Sequence, residues 1–242
     1  SGSTSGVTSG VASSATGGIK GDVNSLRYVA PPAMRLHYEV QKGSESAKAH
    51  LEWRVTSTNG VTQYELVNEA TKFGLSITKQ TSTGTWGSAG LQPQRFGDKR
   101  WRKSEQAAHF DRTKSQVAFS NNRPTVPLLN GAQDRLSVLL QLAATFNADP
   151  KQVALQPARV LDIPVASTDE LEVWHWQVQG TERLTLPAGE VQAIKLTRQP
   201  RREFDQVVEI WLGVTTSYLP VRIRLTDSSG VTDQQLQRVE KL

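Results

Sequence analysis

Apolar and polar residues alternate at a period of two over most of the chain beyond residue 33, the pattern of strands with one buried face. Met34, Leu36, Tyr38 and Val40 fall on one side; Arg35, His37, Glu39 and Gln41 fall on the other. After a turn at Gly43-Ser44-Glu45-Ser46, the residues Ala47, Ala49, Leu51, Trp53 and Val55 alternate against Lys48, His50, Glu52 and Arg54. Asn59-Gly60 predicts a two-residue hairpin, because both residues tolerate positive φ. The next strand carries Tyr64 and Leu66, and a fourth opens at Gly74 with Phe73, Leu75 and Ile77 on one side. These four form a meander whose apolar sets need a common core.

Residues 84–124 read as irregular. Gly84, Gly87, Gly90, Pro93 and Gly97 break the stretch into pieces, leaving short strands expected near 100–110 and 114–120. One helix stands out at 133–147, where Leu136, Leu139, Leu140, Ala143 and Phe146 recur at helical spacing before the stop at Asn147, Asp149 and Pro150. Val138 and Leu142 add a second apolar face, and a helix apolar round its circumference is buried on more than one side. After Pro164 the strand pattern returns at Leu171–Val178, Leu184–Leu186, Val191–Leu196, Val207–Leu212 and Leu219–Leu225. Pro187-Ala188-Gly189 and Asp227-Ser228-Ser229-Gly230 are turns, the second leading into a polar last strand. The apolar phase shifts at Val173-Trp174, predicting a bulge there or a strand buried on both faces. The expected fold is mainly β: one antiparallel curved sheet or partial barrel wrapped round one apolar helix.

Composition adds a boundary. Residues 1–25 are nearly all Gly, Ser, Thr, Ala and Val. They read as a disordered linker or the remnant of a tag, leaving one β-rich domain over residues 26–242. The opening SGSTSGVTSG has neither the basic nor the apolar region of a secretion signal, and without an initiator Met the chain reads as trimmed. No apolar run approaches the ~20 residues of a spanning helix. With no cysteine, disulfides and thiolate metal sites are excluded. A formal charge of +5, from 28 basic and 23 acidic residues, permits anionic partners without demanding them.

Candidate chemistry is sparse. His37 and His50 lie on the polar faces of adjacent strands, His109 and Asp111 flank Phe110, and His175 lies between two tryptophans. None has metal-ligand spacing, so neither a metal nor a cofactor is expected. No G-x-S-x-G elbow, GKS/T loop or helix-opening GxGxxG occurs. The acidic pairs Asp169-Glu170 and Glu203 with Asp205 read as solvated turns rather than glycosidase carboxylates. The basic stretch from Arg95 to Lys114 interleaves Phe96, Trp101 and Phe110, but Asp98, Glu105 and Asp111 interrupt it, which argues against nucleic acid. Arg198, Arg201 and Arg202 form a second basic cluster. The expected ligand or anion contacts are Trp86, Trp101, Arg95, Arg100 and Arg102; no catalytic residue is expected.

The blocks YEVQKG (38–43), GLQPQRF (90–96), GAQDRLSVLLQL (131–142), VEIWL (208–212) and YLPVRIR (218–224), in this order, resemble the bacterial family known as domain of unknown function 3108 over roughly residues 33–240. The resemblance implies an exported, envelope-associated protein of Gram-negative bacteria, periplasmic or anchored through a segment ahead of the low-complexity stretch, with no agreed catalytic residues. By architecture alone it is similar to the periplasmic lipoprotein-localisation carriers. The leading expectation is a non-enzymatic module for a hydrophobic or amphipathic ligand, with a lipid, a glycan or an envelope protein as partner. The alternatives are a scaffolding module with a self-filled core and a hydrolase of cell-wall glycan or esters.

Overall fold

The computed structural model of the protein describes residues 26–153 and 160–242; the expected linker at 1–25 lies outside them. Eight strands follow one another as neighbours: β1 Met34–Lys42, β2 Glu45–Thr58, β3 Val61–Lys72, β4 Leu75–Gly87, β5 Gly90–Arg100, β6 Gln106–Asp111, β7 Gln116–Phe119 and β8 Val126–Pro127. Then come β9 Gln133–Asp134, helix α1 Ser137–Ala148 and a 3₁₀ turn at Pro150–Gln152. The chain closes with β10 Val160–Ala166, β11 Leu171–Leu186, β12 Gly189–Arg198, β13 Val207–Gly213, β14 Pro220–Asp227 and β15 Gly230–Lys241. All fifteen strands form one sheet, β1 to β8 fanning out in order on one side of the β1–β15 pair and β15 back to β9 on the other. Every pairing is antiparallel except that of β9 with β10. The two edges, β8 and β9, are consecutive in the chain, so the sheet curls into a barrel-like body that does not close.

The inward face follows the alternation. Met34, Leu36 and Tyr38 face Trp53, Leu51 and Ala49 across the β1–β2 pair, and all six are buried. The concavity they line is occupied by α1, whose residues from Ser137 to Phe146 are all buried. Phe146 meets Tyr218 at 5.9 Å and the Val29 amide donates to the Ala144 carbonyl, so the far end of the helix is pinned from two sides. Outside, Trp211 is only 2% exposed because Lys195, Arg222 and Arg224 lie over its ring at 5.1, 4.7 and 5.4 Å. Glu182, Glu209 and Asp233 hold those cations across strands, and their alkyl stems cover apolar surface while the charges stay in water.

Four expectations are corrected. Residues 84–100 are not broken: they belong to the long hairpin β4–β5, with Gly87 and Gly90 at its turn. Gly84 faces Pro93 across a register shift, where a Cβ would strike the Gln92 carbonyl; Pro93 lies beyond the stretch of β5 that β6 pairs, so its missing N–H removes no bond to β6. The helix starts at Ser137 rather than 133, because Gln133 and Asp134 pair with Val165 and Ala166 as a strand. Leu171–Leu186 is one strand, not two. The bulge lies not at Val173-Trp174 but between Val178 and Gly180, which takes φ 114°; Trp174, Trp176 and Val178 keep one inward phase.

Candidate functional site

Between the start of β5, β10 and the middle of α1, a recess of about 350 Å³ opens. Its apolar floor is Leu91, Leu142, Leu161 and Ile163, and Tyr28, Arg112 and Asp162 add polar groups. Gln141, buried on α1, builds the wall: its carboxamide oxygen accepts from the Leu91 amide at 2.9 Å and its nitrogen donates to the Ala89 carbonyl at 3.0 Å. Gln133 donates to the Leu91 carbonyl at 2.8 Å. Two glutamines thus satisfy the backbone of β5 where no strand covers it, as a buried edge requires.

Arg112 donates to the Pro93 carbonyl at 2.9 Å, and among the described residues no carboxylate lies within ion-pair distance of it. Asp162 is held by His175 Nδ1 at 2.6 Å. Burial pushes the Tyr28 hydroxyl above its ordinary value, so it stays a neutral donor. The described lining contains no imidazole, lysine or cysteine; its hydroxyls are those of Tyr28, Ser88 and Thr145. The arrangement can hold an apolar group against the floor and an anionic one against a single guanidinium.

Gly90 takes φ 76°, and a Cβ on it would collide with the Gln141 carboxamide. Gly131 shares the left-handed backbone, φ 75°, with open space around it. Gly90→Ala is therefore expected to cost about 1–3 kcal/mol more than Gly131→Ala in urea unfolding. Equal losses would show that the Gln141 wall is not rigid.

The residues expected from the sequence do not gather at this recess. Trp86 packs edge-on against Trp53 at 6.3 Å, while Trp101 is exposed at the opposite end of the β4–β5 hairpin with the Arg102 guanidinium 5.6 Å from its ring. Arg95 is paired with Glu105, and Arg100 with Asp98 at 3.6 Å. The second basic cluster is largely neutralised: Arg198 lies buried over Trp174 at 4.6 Å beside Asp205, and Arg201 binds Glu172 and Asp205. His37 and His50 do meet, ring centroids 6.5 Å apart, with His37 bonded to Glu240 at 2.9 Å. Sequence reasoning missed Tyr28, Gln141 and Asp162; a glutamine inside an otherwise apolar helix was the available signal.

The model of the family described as "Protein of unknown function (DUF3108)" matches residues 34–237. The fold is similar to a β-barrel-like protein of domain of unknown function DUF1849 from Brucella abortus, with TM-score 0.54 and 10% identity over 88% of this chain and 100% of that one. Weaker likenesses are to a protein described as exported, with a YmcC-like fold, from Bacteroides fragilis (TM-score 0.39, 8% identity, 89% and 99% covered). The Pseudomonas aeruginosa MucA/MucB complex follows (TM-score 0.34, 16% identity, 86% and 51% covered). No curated protein sequence matches the chain.

Proposed function

We propose that this chain, which belongs to the DUF3108 family, is a non-catalytic binding module of the bacterial cell envelope that takes a small amphiphile in the recess beside α1. The observation that carries this reading is an uncompensated guanidinium, Arg112, at the rim of an apolar floor. The volume, about 350 Å³, is at the lower end for ligand sites, so the occupant is a single acyl chain end or a compact amphiphile. A whole lipid does not fit, because α1 already fills the concavity.

Dodecanoate tests this by calorimetry. Binding to the wild type is expected, with about tenfold weakening in Arg112→Gln and loss in Ala89→Trp, which covers the recess from an exposed position of its lining; dodecanol is expected to ignore the Arg112 change. No binding of dodecanoate, or equal binding by all three proteins, rejects the recess as the site. A second reading, a scaffold acting through its surface, is favoured by the burial of α1 from Ser137 to Phe146. A stable partner recovered from envelope extract by wild type and Ala89→Trp alike supports that reading instead.

A further inference from the structure

In an up-and-down meander every second turn returns to the same end of the sheet. The β3–β4, β5–β6 and β12–β13 turns share one end, and they hold the three exposed phenylalanine and tryptophan rings among the described residues. Phe73 is 93% exposed, Phe204 88% and Trp101 47%. Phe73-Gly74 repeats the backbone of Asn59-Gly60: φ is 52° and 76° in the first turn, 52° and 77° in the second. Asn59, at the other end of the sheet, is the residue this turn favours, because asparagine tolerates the left-handed region. A bulky ring in that conformation is disfavoured, and full hydration of the ring adds a further cost. Phe204 repeats the anomaly at φ 64°. Neither turn geometry nor packing accounts for either ring.

The charge at this end is also net basic once pairs are removed. Glu45 is taken by Lys72, Asp98 by Arg100, Glu105 by Arg95, and Asp205 by Arg198 and Arg201. Lys42, Lys99, Arg102, Lys103, Arg123 and Arg202 have no carboxylate within ion-pair distance among the described residues, against Asp169, Glu170, Glu203 and Asp227 on the acidic side.

We infer that this end docks on an anionic bilayer surface, with Phe73, Trp101 and Phe204 entering the headgroup boundary and the free cations facing the phosphates. The β3–β4 and β12–β13 turns are six strand spacings apart in the sheet order, roughly 29 Å along its curve at the usual spacing. Three separated rings suit a plane; a folded protein partner favours one contiguous apolar patch.

Flotation with phosphatidylglycerol–phosphatidylcholine vesicles tests this on the full chain. The wild type is expected to float with these vesicles and not with phosphatidylcholine alone, and added salt is expected to release it. Phe73→Asn with Phe204→Asn is expected to lower partitioning about tenfold or more, while each single variant melts at or above the wild-type temperature because asparagine relieves the turn. Arg102→Gln with Lys103→Gln is expected to weaken the anionic-vesicle signal with the fold intact. Failure of the wild type to float, or undiminished flotation of the folded double phenylalanine variant, overturns the inference. So does capture by a soluble envelope protein that needs these phenylalanines when vesicles are absent.

Discussion

Leu140→Ala is expected to cost about 3–4 kcal/mol of folding stability, near the upper half of the range for leucine truncation in cores. Leu140 is fully buried in a helix whose residues from Ser137 to Phe146 are all covered. The rigid sheet around α1 leaves the helix little room to slide and fill the void, so the cavity term adds to the lost transfer energy. α1 is tied at its start by Asp134, along its side by Gln141 to β5, and at its end by Val29 and Tyr218. A shift in the urea midpoint with unchanged slope is the expected signature. Leu129→Ala, at a residue 41% exposed, serves as the control and is expected to change stability by no more than about 0.5 kcal/mol. A loss below about 1 kcal/mol in Leu140→Ala would mean that α1 packs loosely.

Asp134 carries the second large effect. It is fully buried and accepts from Ser82 Oγ at 2.5 Å, the Leu136 amide at 2.9 Å and the Ser137 amide at 2.7 Å. Tyr64 meets Ser82 at 2.9 Å, extending the network across β3 and β4. One carboxylate thus caps α1 and ties it to the opposite wall of the sheet. Asp134→Ala leaves two helix-start amides and a buried hydroxyl without their acceptor, and is expected to cost about 2–4 kcal/mol. Asp134→Asn, which keeps an acceptor, is expected to cost less.

Burial pushes the Asp134 carboxyl up from 3.8 to about 6, against the pull of its donors. The folded protein therefore keeps a proton that the unfolded chain has already released. The stability this adds is complete below about pH 4 and is lost as pH rises through about 6. At 1.36 kcal/mol per unit the change is about 3 kcal/mol. Unfolding free energies of wild type minus Asp134→Asn, measured across this window, are expected to fall as pH rises. A flat or rising difference would show that Asp134 ionises freely in the fold.

The meander and the helix were legible in the sequence because both depend on apolar periodicity. Tyr38 and Trp53, and the run from Leu136 to Phe146, could be buried in only one way at their respective periods. The unbroken β4–β5 hairpin was hidden because its glycines and Pro93 carry the ordinary signals of loops. Gly84 faces Pro93 and yields space to the Gln92 carbonyl, a contact that belongs to the partner strand rather than to local sequence. Asp134 and Gln133 read as helix because they precede a helical pattern, yet their register is set by Val165 and Ala166, some thirty residues on. The recess stayed hidden for the same reason: Tyr28, Arg112, Gln141 and Asp162 come from four distant segments. The exposed phenylalanines were readable as letters, but their solvation follows only from the turn geometry.

The most direct measurement is backbone hydrogen exchange of residues 137–146. If α1 is the filling of the sheet, its amides exchange only through global opening and rank with Leu36, Leu51 and Leu66 among the slowest. If those amides exchange many orders faster than the strand core, α1 is a loosely held cover over a cavity, and the self-filled body described above is wrong.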